Sequence, residues 1–146
     1  MIKVGIIGYG YWGPNLVRNF SNVDDCKVKW VSDMRTERLA VATKQFPYIS
    51  ATTSYKDIFN DAEIDAVVIA TPVFSHFTLA KEALLAGKHV LVEKPLTASV
   101  AEAEELKELA AKHGKLIMVD HTFLYTGAVD KIKSLLIALK LVTCNT

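Results

Sequence analysis

The sequence predicts an α/β fold, a doubly wound and mostly parallel sheet with helices on both faces. Three observations support this class. Six apolar runs alternate with helix-compatible segments along 146 residues, a length that suits one domain. Several runs are continuously apolar, as in parallel strands that helices cover on both sides. Gly8, Gly10 and Gly13 follow the first run with the spacing G-x-G-x-x-G, at a strand-to-helix turn.

The elements follow in chain order. We predict strands at 3–7, 27–32, 50–52, 66–70, 89–92 and 116–119. We predict helices at 14–20, 35–46, 55–59, 76–86, 100–113 and 127–138. Gly87 and Gly114 end two helices, and Ser99 is a good N-cap for the helix between them. The last three strands should be buried on both faces. We expect the strand order 3-2-1-4-5-6, with a ligand crevice at the carboxyl ends of the strands.

Composition excludes several classes of protein. The chain is 51% hydrophobic and 23% charged, with a net charge of +1 and both signs mixed along it, so no basic stripe for nucleic acid is present. No apolar run is long enough to cross a bilayer, and the N-terminus enters a strand without a signal-peptide pattern. Cys26, Cys144 and the scattered histidines show no metal-ligand spacing. We therefore expect a cytoplasmic protein with no metal, membrane or nucleic-acid partner.

The glycine turn predicts an anion site. Gly8 can adopt backbone angles that a Cβ would forbid, so the chain can turn sharply out of the strand. Gly10 allows the main chain to approach a pyrophosphate, and Gly13 allows the helix to pack closely on the strand. The free amides and the dipole of the helix favour an anion at this end, where Tyr11 and Trp12 also lie. A glycine-rich turn without a ligand is the alternative.

An acid at the end of the second strand extends the pattern to a dinucleotide. Asp33 lies at the distance downstream where the fingerprint places a ribose-binding carboxylate. A carboxylate there would accept hydrogen bonds from the ribose hydroxyls and repel a 2′-phosphate, which favours NAD over NADP. Met34 and Arg35 follow it and are predicted to contact the cofactor. Arg35 weakens the discrimination, because an arginine there can also hold a 2′-phosphate.

Polar residues follow the fourth and sixth strands. Thr71 and Pro72 are expected to cover the middle of the cofactor, although an ordinary strand exit with a turn proline is also possible. His76 is either a crevice residue or the exposed first turn of a helix. His121 and Tyr125 either reach the nicotinamide end or pack a helix start.

Lys94 is the candidate catalytic residue, and it follows the fifth strand. Removal of hydride from an alcohol also requires the hydroxyl proton to leave, and a nearby ammonium stabilises the developing alkoxide and can relay that proton. Lysine suits this role because its pKa changes readily on burial. Glu93 beside it would tune its charge and contact the cofactor. A solvated charged pair at a turn is the alternative.

These residues together resemble the N-terminal domain of the Gfo/Idh/MocA oxidoreductases. The resemblance rests on the glycine turn at 8–13, Asp33, the segment 70–72, His76 and above all the segment 87–95 with its Glu-Lys-Pro motif. It implies a Rossmann domain over residues 1–138 that binds a nicotinamide dinucleotide. It also implies that Lys94 lies beside the substrate hydroxyl that is oxidised. The segments 11–15 and 121–125 are most similar to sugar-nucleotide 3-dehydrogenases that act on UDP-activated amino-sugar acids.

The same resemblance implies a second domain, which supplies most substrate contacts and the oligomer interface. Residues 139–146 do not resemble the usual continuation, so we expect a divergent tail there and a chain that is incomplete for catalysis by itself. A homo-oligomer and a sugar or sugar-nucleotide substrate are expected once a second domain is supplied. Two alternatives remain open, a non-catalytic dinucleotide-binding module or remnant, and an α/β domain for another nucleotide such as S-adenosylmethionine.

Overall fold

The computed structural model describes residues 1–143, which form one parallel sheet of six strands in the order β3-β2-β1-β4-β5-β6. The predicted fold class and strand order are confirmed. The strands are β1 Ile2–Ile7, β2 Cys26–Ser32, β3 Ser50–Thr52, β4 Ala66–Ile69, β5 His89–Glu93 and β6 Ile117–Asp120. The helices are α1 Gly13–Ser21, α2 Thr36–Gln45, α3 Tyr55–Asn60, α4 His76–Leu85, α5 Val100–Lys112 and α6 Gly127–Thr143.

Two apolar clusters cover the two faces of the sheet. One contains Leu16 and Val17 of α1 and Leu39 of α2, packed with buried side chains of β1 and β2. The other contains Leu84 of α4 and Leu106 of α5, packed with buried side chains of β4 and β5. Alternate side chains of a strand point to opposite faces, so apolar residues at successive positions supply both clusters.

The helix ends follow the chemistry of their residues. Gly87 and Gly114 have φ values of +74° and +61°, in the left-handed region that favours glycine, and they end α4 and α5 as predicted. Ser99 caps α5 with two reciprocal hydrogen bonds. The Ser99 hydroxyl accepts one from the Glu102 amide, and the Glu102 carboxylate accepts the other from the Ser99 amide. Two short 3₁₀ turns, Val73–Ser75 and Thr122–Tyr125, were not predicted.

The burial predicted for the sixth strand is wrong. Met118 of β6 is 52% exposed, because β6 is an edge strand and α6 contacts the preceding 3₁₀ turn rather than covering the sheet. Helix α6 also continues to Thr143, beyond the predicted end at 138. The end of the predicted tail, with Cys144, lies outside the described residues.

Charged side chains close the edge of the sheet where the strands begin. Lys29 forms ion pairs with Asp61 and Glu63, and Lys3 also pairs with Glu63. The hydrogen bonds from Lys29 hold the pKa values of Asp61 and Glu63 at about 2. Lys88 is buried, and its ammonium donates to the Asp61 and Ile64 carbonyl oxygens at 2.8 Å. We call these five residues, Lys3, Lys29, Asp61, Glu63 and Lys88, the amino-edge network.

Over residues 1–143, no helix is long and apolar enough to cross a membrane. The same part of the chain contains no group of three or more histidine, cysteine, aspartate or glutamate residues arranged to hold a metal ion.

Candidate functional site

A cavity of about 870 Å³ opens at the opposite edge of the sheet, where the strands end. The ends of β1 and β2, the segments that follow β3 and β4 and part of α4 form its walls. Several predicted site residues line it: Gly8, Gly10, Tyr11, Trp12, Asp33, Met34, Arg35, Thr71 and Pro72. The crevice expected at the carboxyl ends of the strands is therefore present.

The glycine turn forms the floor of the cavity, and two of its glycines are sterically required. Gly8 has a φ of +98°, and a Cβ there would lie 2.5 Å from the Ala70 carbonyl oxygen. A Cβ on Gly13 would lie 2.8 Å from the Gly8 carbonyl oxygen, so Gly13 allows α1 to start close to the turn. Around Gly10 the space is open, since the nearest atom to an added Cβ is a nitrogen of Arg35 at 3.8 Å. A ligand can therefore approach the backbone at Gly10.

The Asp33 carboxylate is buried and fully engaged inside the protein. It accepts hydrogen bonds from the Tyr9 amide at 2.8 Å and from the Arg35 amide at 3.0 Å. The Arg35 guanidinium donates two further bonds at 3.0 and 3.2 Å. Burial alone raises the pKa of Asp33, but these donors outweigh it and the pKa lies below its usual value. The carboxylate thus orients both the glycine turn and Arg35.

The segment after β4 forms the opposite wall. The Thr71 and Ser75 hydroxyls lie 2.7 Å apart, and the Ser75 hydroxyl donates to the Pro72 carbonyl oxygen at 2.7 Å. These bonds close the 3₁₀ turn Val73–Ser75 and leave the Phe74 ring 81% exposed beside the cavity.

His76 starts α4, as one sequence interpretation had it, but it is not exposed there. It is neither exposed nor part of the cavity lining, because its side chain is only 1% exposed beneath the cavity wall. Its ring nitrogens lie 2.8 Å from the Pro95 carbonyl oxygen and 2.7 Å from the Thr71 carbonyl oxygen. The ring therefore bridges the segments that follow β4 and β5.

The remaining predicted residues lie outside the cavity lining: Gly13, His76, Glu93, Lys94, His121 and Tyr125. Glu93 pairs in register with Asp120 at the ends of β5 and β6. Burial, followed by the charge of Asp120, raises the pKa of Glu93. Lys94 and His121 are exposed, and the Lys94–Pro95 peptide bond is cis. Glu93, Lys94 and His121 thus lie at the carboxyl ends of β5 and β6, next to the cavity but outside it.

The segment after β4 was expected to line the crevice, and Phe74 and Ser75 do so; sequence reasoning missed Ser32, Thr53, Tyr55, Thr78 and Leu79. Ser32 ends β2 and Thr53 follows β3, so the rule that strand ends carry function could have identified them. No local signal identifies Thr78 or Leu79, because they reach the cavity only through the packing of α4.

The residues fit a nicotinamide dinucleotide. The volume lies in the range of cofactor pockets, which is roughly 300–1,000 Å³. The first turn of α1 and the open backbone at Gly10 suit a pyrophosphate. Asp33 lies at the end of β2, where a ribose binds in folds of this type.

Comparison with known proteins agrees with this geometry. Residues 2–121 match a family model, GFO_IDH_MocA, described as an oxidoreductase family with an NAD-binding Rossmann fold. The chain is 35% identical to the uncharacterised oxidoreductase YdgJ of Escherichia coli, over 92% of this chain and 38% of that protein. It is 34% identical to IolW of Bacillus subtilis, a scyllo-inositol 2-dehydrogenase (NADP⁺), over 99% of this chain and 40% of that protein.

Solved structures show the same similarity. KijD10, a 3-ketoreductase from Actinomadura kijaniata solved with TDP-benzene and NADP, superposes with a TM-score of 0.85 at 28% identity, covering 94% of this chain and 44% of that one. GenD2, from gentamicin A biosynthesis and solved with NAD, superposes with a TM-score of 0.83 at 27% identity, covering 86% and 36%. The chain thus spans about two fifths of the length of such relatives.

Proposed function

The chain belongs to the Gfo/Idh/MocA oxidoreductase family, and on that premise we propose that it is the cofactor domain of a dehydrogenase of sugars or sugar nucleotides. The observation that carries the proposal is the cavity at the carboxyl edge, where an open Gly10 backbone and the Asp33 carboxylate lie on one wall. We propose residues 1–138 as the nicotinamide dinucleotide domain.

The cofactor would lie along the cavity floor. The amides at the start of α1 would donate to its pyrophosphate, since they have no partner within the helix. Asp33 would accept from the adenosine ribose hydroxyls. Four protein donors already engage that carboxylate, so a ribose must displace the half-exposed Arg35 guanidinium. The Tyr9 amide would keep the carboxylate in place during this exchange.

Cofactor choice would follow from the Asp33–Arg35 pair. Once Arg35 is displaced, the Asp33 carboxylate would accept hydrogen bonds from two free ribose hydroxyls and repel a 2′-phosphate, which favours NAD. A displaced Arg35 would lie beside the same ribose and can neutralise a 2′-phosphate. The relatives include proteins named for or solved with either cofactor, which is consistent with a preference set by these two side chains.

Lys94 would act at the nicotinamide end of the cofactor, where the substrate reacts. Bound NAD supplies a nicotinamide ring that accepts hydride, and the protein must handle the hydroxyl proton. The Lys94 ammonium would donate a hydrogen bond to the substrate oxygen and stabilise its developing negative charge. It is exposed, and it has no hydrogen-bond or ion-pair partner in the part of the chain that the structure describes. The Glu93 carboxyl group, whose pKa is raised by burial, would lie beside that ammonium.

The substrate proposal rests on the relatives and on sequence resemblance. IolW is named for an inositol and KijD10 was solved with TDP-benzene, so the class we propose is a polyol, a free sugar or a sugar linked to a nucleoside diphosphate. The segments 11–15 and 121–125 favour a UDP-activated amino-sugar acid within it. A second domain would supply most substrate contacts and the interface of a homo-oligomer.

A non-catalytic dinucleotide-binding module is the second candidate. Lys94 and Glu93 lie outside the cavity lining, which favours this second candidate. Protein groups from elsewhere would have to complete the part of the site where the substrate reacts. Both candidates bind the dinucleotide, and only the first oxidises a sugar.

Titration calorimetry of the 146-residue chain with NAD, NADH and NADP tests the cofactor proposal. We expect binding with NAD preferred. Asp33→Ala should weaken NAD about 10- to 100-fold, the scale of a charge-assisted hydrogen bond, whereas Arg35→Ala should weaken NADP and leave NAD unchanged or tighter. Asp24→Ala, which removes the same charge far from the cavity, is the control. A folded wild-type chain that binds none of these nucleotides would refute the proposal.

A further inference from the structure

His76 connects two functional segments that the chain separates. It is the first residue of α4, and its ring reaches the Thr71 carbonyl oxygen at 2.7 Å and the Pro95 carbonyl oxygen at 2.8 Å. Thr71 belongs to the cavity wall, and Pro95 directly follows Lys94. The side chain is 1% exposed, so no cofactor or substrate can touch it.

The chemistry of this bridge is specific to an imidazole. Both partners are carbonyl oxygens, which only accept hydrogen bonds, and the imidazole presents one nitrogen to each of them at hydrogen-bond distance. The two nitrogens belong to one rigid ring, so contact with both oxygens holds the two segments at a set separation. The amide nitrogen of a glutamine carries two protons on one atom and does not span the ring's width. The aromatic ring of phenylalanine spans it but donates nothing.

The Lys94 side chain differs from Lys88 in how it is held. Its ammonium has no hydrogen-bond or ion-pair partner within residues 1–143, so only its backbone determines where the side chain starts. Lys88 shows the contrast, because two carbonyl oxygens hold its ammonium directly. Before Lys94, Glu93 pairs with Asp120 in the sheet, and after Lys94 the Pro95 carbonyl oxygen contacts the His76 ring.

We propose that His76 is a positioning residue, which couples the Lys94 segment to the Thr71–Pro72 wall so that Lys94 meets the nicotinamide end of the bound dinucleotide. This inference rests on the proposed function. It differs from the sequence prediction for His76, because the residue acts through the Thr71 and Pro95 backbone and not by contact with the cofactor. Loss of the bridge should leave the adenosine end of the site unchanged.

The test compares two ligands that share one end. NAD and ADP-ribose have the same adenosine, pyrophosphate and second ribose, and only NAD carries the nicotinamide. Calorimetry on wild type and His76→Phe gives the ratio of the two affinities. A second readout is the protection of Lys94 by NADH against acetylation with acetic anhydride, located by mass spectrometry. His89→Phe, which removes a histidine that accepts from the Leu116 amide at the far end of β5, is the matched control.

We expect His76→Phe to lower NAD affinity about tenfold, the scale of one lost hydrogen bond, with ADP-ribose affinity changed less than about twofold. NADH should protect Lys94 in wild type and in His89→Phe, but no longer in His76→Phe at saturating NADH. His76→Gln, which keeps one donor, should fall between wild type and His76→Phe and carries the test if the phenylalanine variant does not fold.

Three failures are distinguishable. If a folded His76 variant keeps the wild-type affinity ratio and the wild-type protection of Lys94, His76 only stabilises the fold and the inference is overturned. If wild type binds neither ligand, the proposed function fails first. If wild type binds both but NADH leaves Lys94 unprotected, the placement of Lys94 beside the nicotinamide is wrong, and the positioning role falls with it.

Discussion

The two edges of the sheet use charged and polar groups in opposite ways. In the amino-edge network, Lys29 and Lys3 meet Asp61 and Glu63 in ion pairs, and Lys88 is held by carbonyl oxygens. At the carboxyl edge the backbone at Gly10 faces open space in a cavity of about 870 Å³. One edge satisfies its polar groups within the protein, and the other leaves some of them for a ligand.

This difference follows from the parallel topology. All six strands end at the same edge, so the connecting segments that can vary without disturbing the sheet collect there. The glycine turn shapes that edge because Gly8 and Gly13 let the backbone turn without a Cβ clash, and Gly10 leaves the space beside it open. The amino edge contains no such turn, and long charged side chains close it. Binding and stability should therefore respond to substitutions at different edges.

The largest effect is expected from Gly8→Ala at the carboxyl edge. The new Cβ would lie 2.5 Å from the Ala70 carbonyl oxygen at a φ of +98°, so overlap and backbone strain add. We expect a loss of about 3 kcal/mol in the free energy of unfolding, measured by urea denaturation, together with loss of NAD binding. Gly127→Ala is the control, since nothing lies within 4 Å of a Cβ there. Wild-type stability of Gly8→Ala would show that the turn is not sterically constrained.

A smaller effect, with no change in binding, is expected from Lys88→Met at the amino edge. The substitution leaves the Asp61 and Ile64 carbonyl oxygens without their donor in a buried position. We expect about 1–3 kcal/mol of destabilisation by urea denaturation and unchanged NAD affinity by calorimetry. Lys107→Met, at an exposed position of α5, should change neither quantity. A drop in NAD affinity for folded Lys88→Met would contradict the separation of the edges.

Acid should destabilise the chain, and the amino edge should account for part of the loss. Asp61 and Glu63 have pKa values of about 2 in the folded state, below the ordinary values of 3.8 and 4.5. A depressed carboxyl pKa stabilises the fold above the unfolded pKa, and this contribution is lost as the pH falls from about 5 towards 2. The lowered pKa of Asp33 acts in the same direction at the carboxyl edge.

The measurement is the urea midpoint between pH 6 and pH 2.5 for wild type and Lys29→Met. The variant removes the first cause of both amino-edge pKa shifts, so its midpoint should fall less steeply with pH. Leu116→Met is the control, because Leu116 is exposed and lies outside the amino-edge network. It should keep the wild-type slope of the midpoint against pH. Equal slopes for wild type and Lys29→Met would mean that the ion pairs do not contribute.

The parts of the fold that were predicted depend on near neighbours in the chain. The apolar runs, the Gly87 and Gly114 helix ends and the Ser99 cap all act over a few residues, and the strand order followed from the glycine turn and the alternation of elements. The burial of β6 was predicted wrongly, because burial depends on whether another element covers the strand. The end of α6 lacks a glycine stop and was placed too early.

Like the fold, the candidate site has parts that the sequence predicted and parts that only the tertiary structure shows. The sequence by itself determined the glycine turn, Asp33 and the strand-end segments, because their residue types are required by local backbone geometry and by position after a strand. Only the tertiary structure decided that Arg35 occupies the Asp33 carboxylate, that Thr78 reaches the cavity and that His76 bridges Thr71 and Pro95. Arg35 is only two residues from Asp33 and His76 meets Pro95 across 19 residues, but in both cases no periodicity or spacing encodes which polar groups meet.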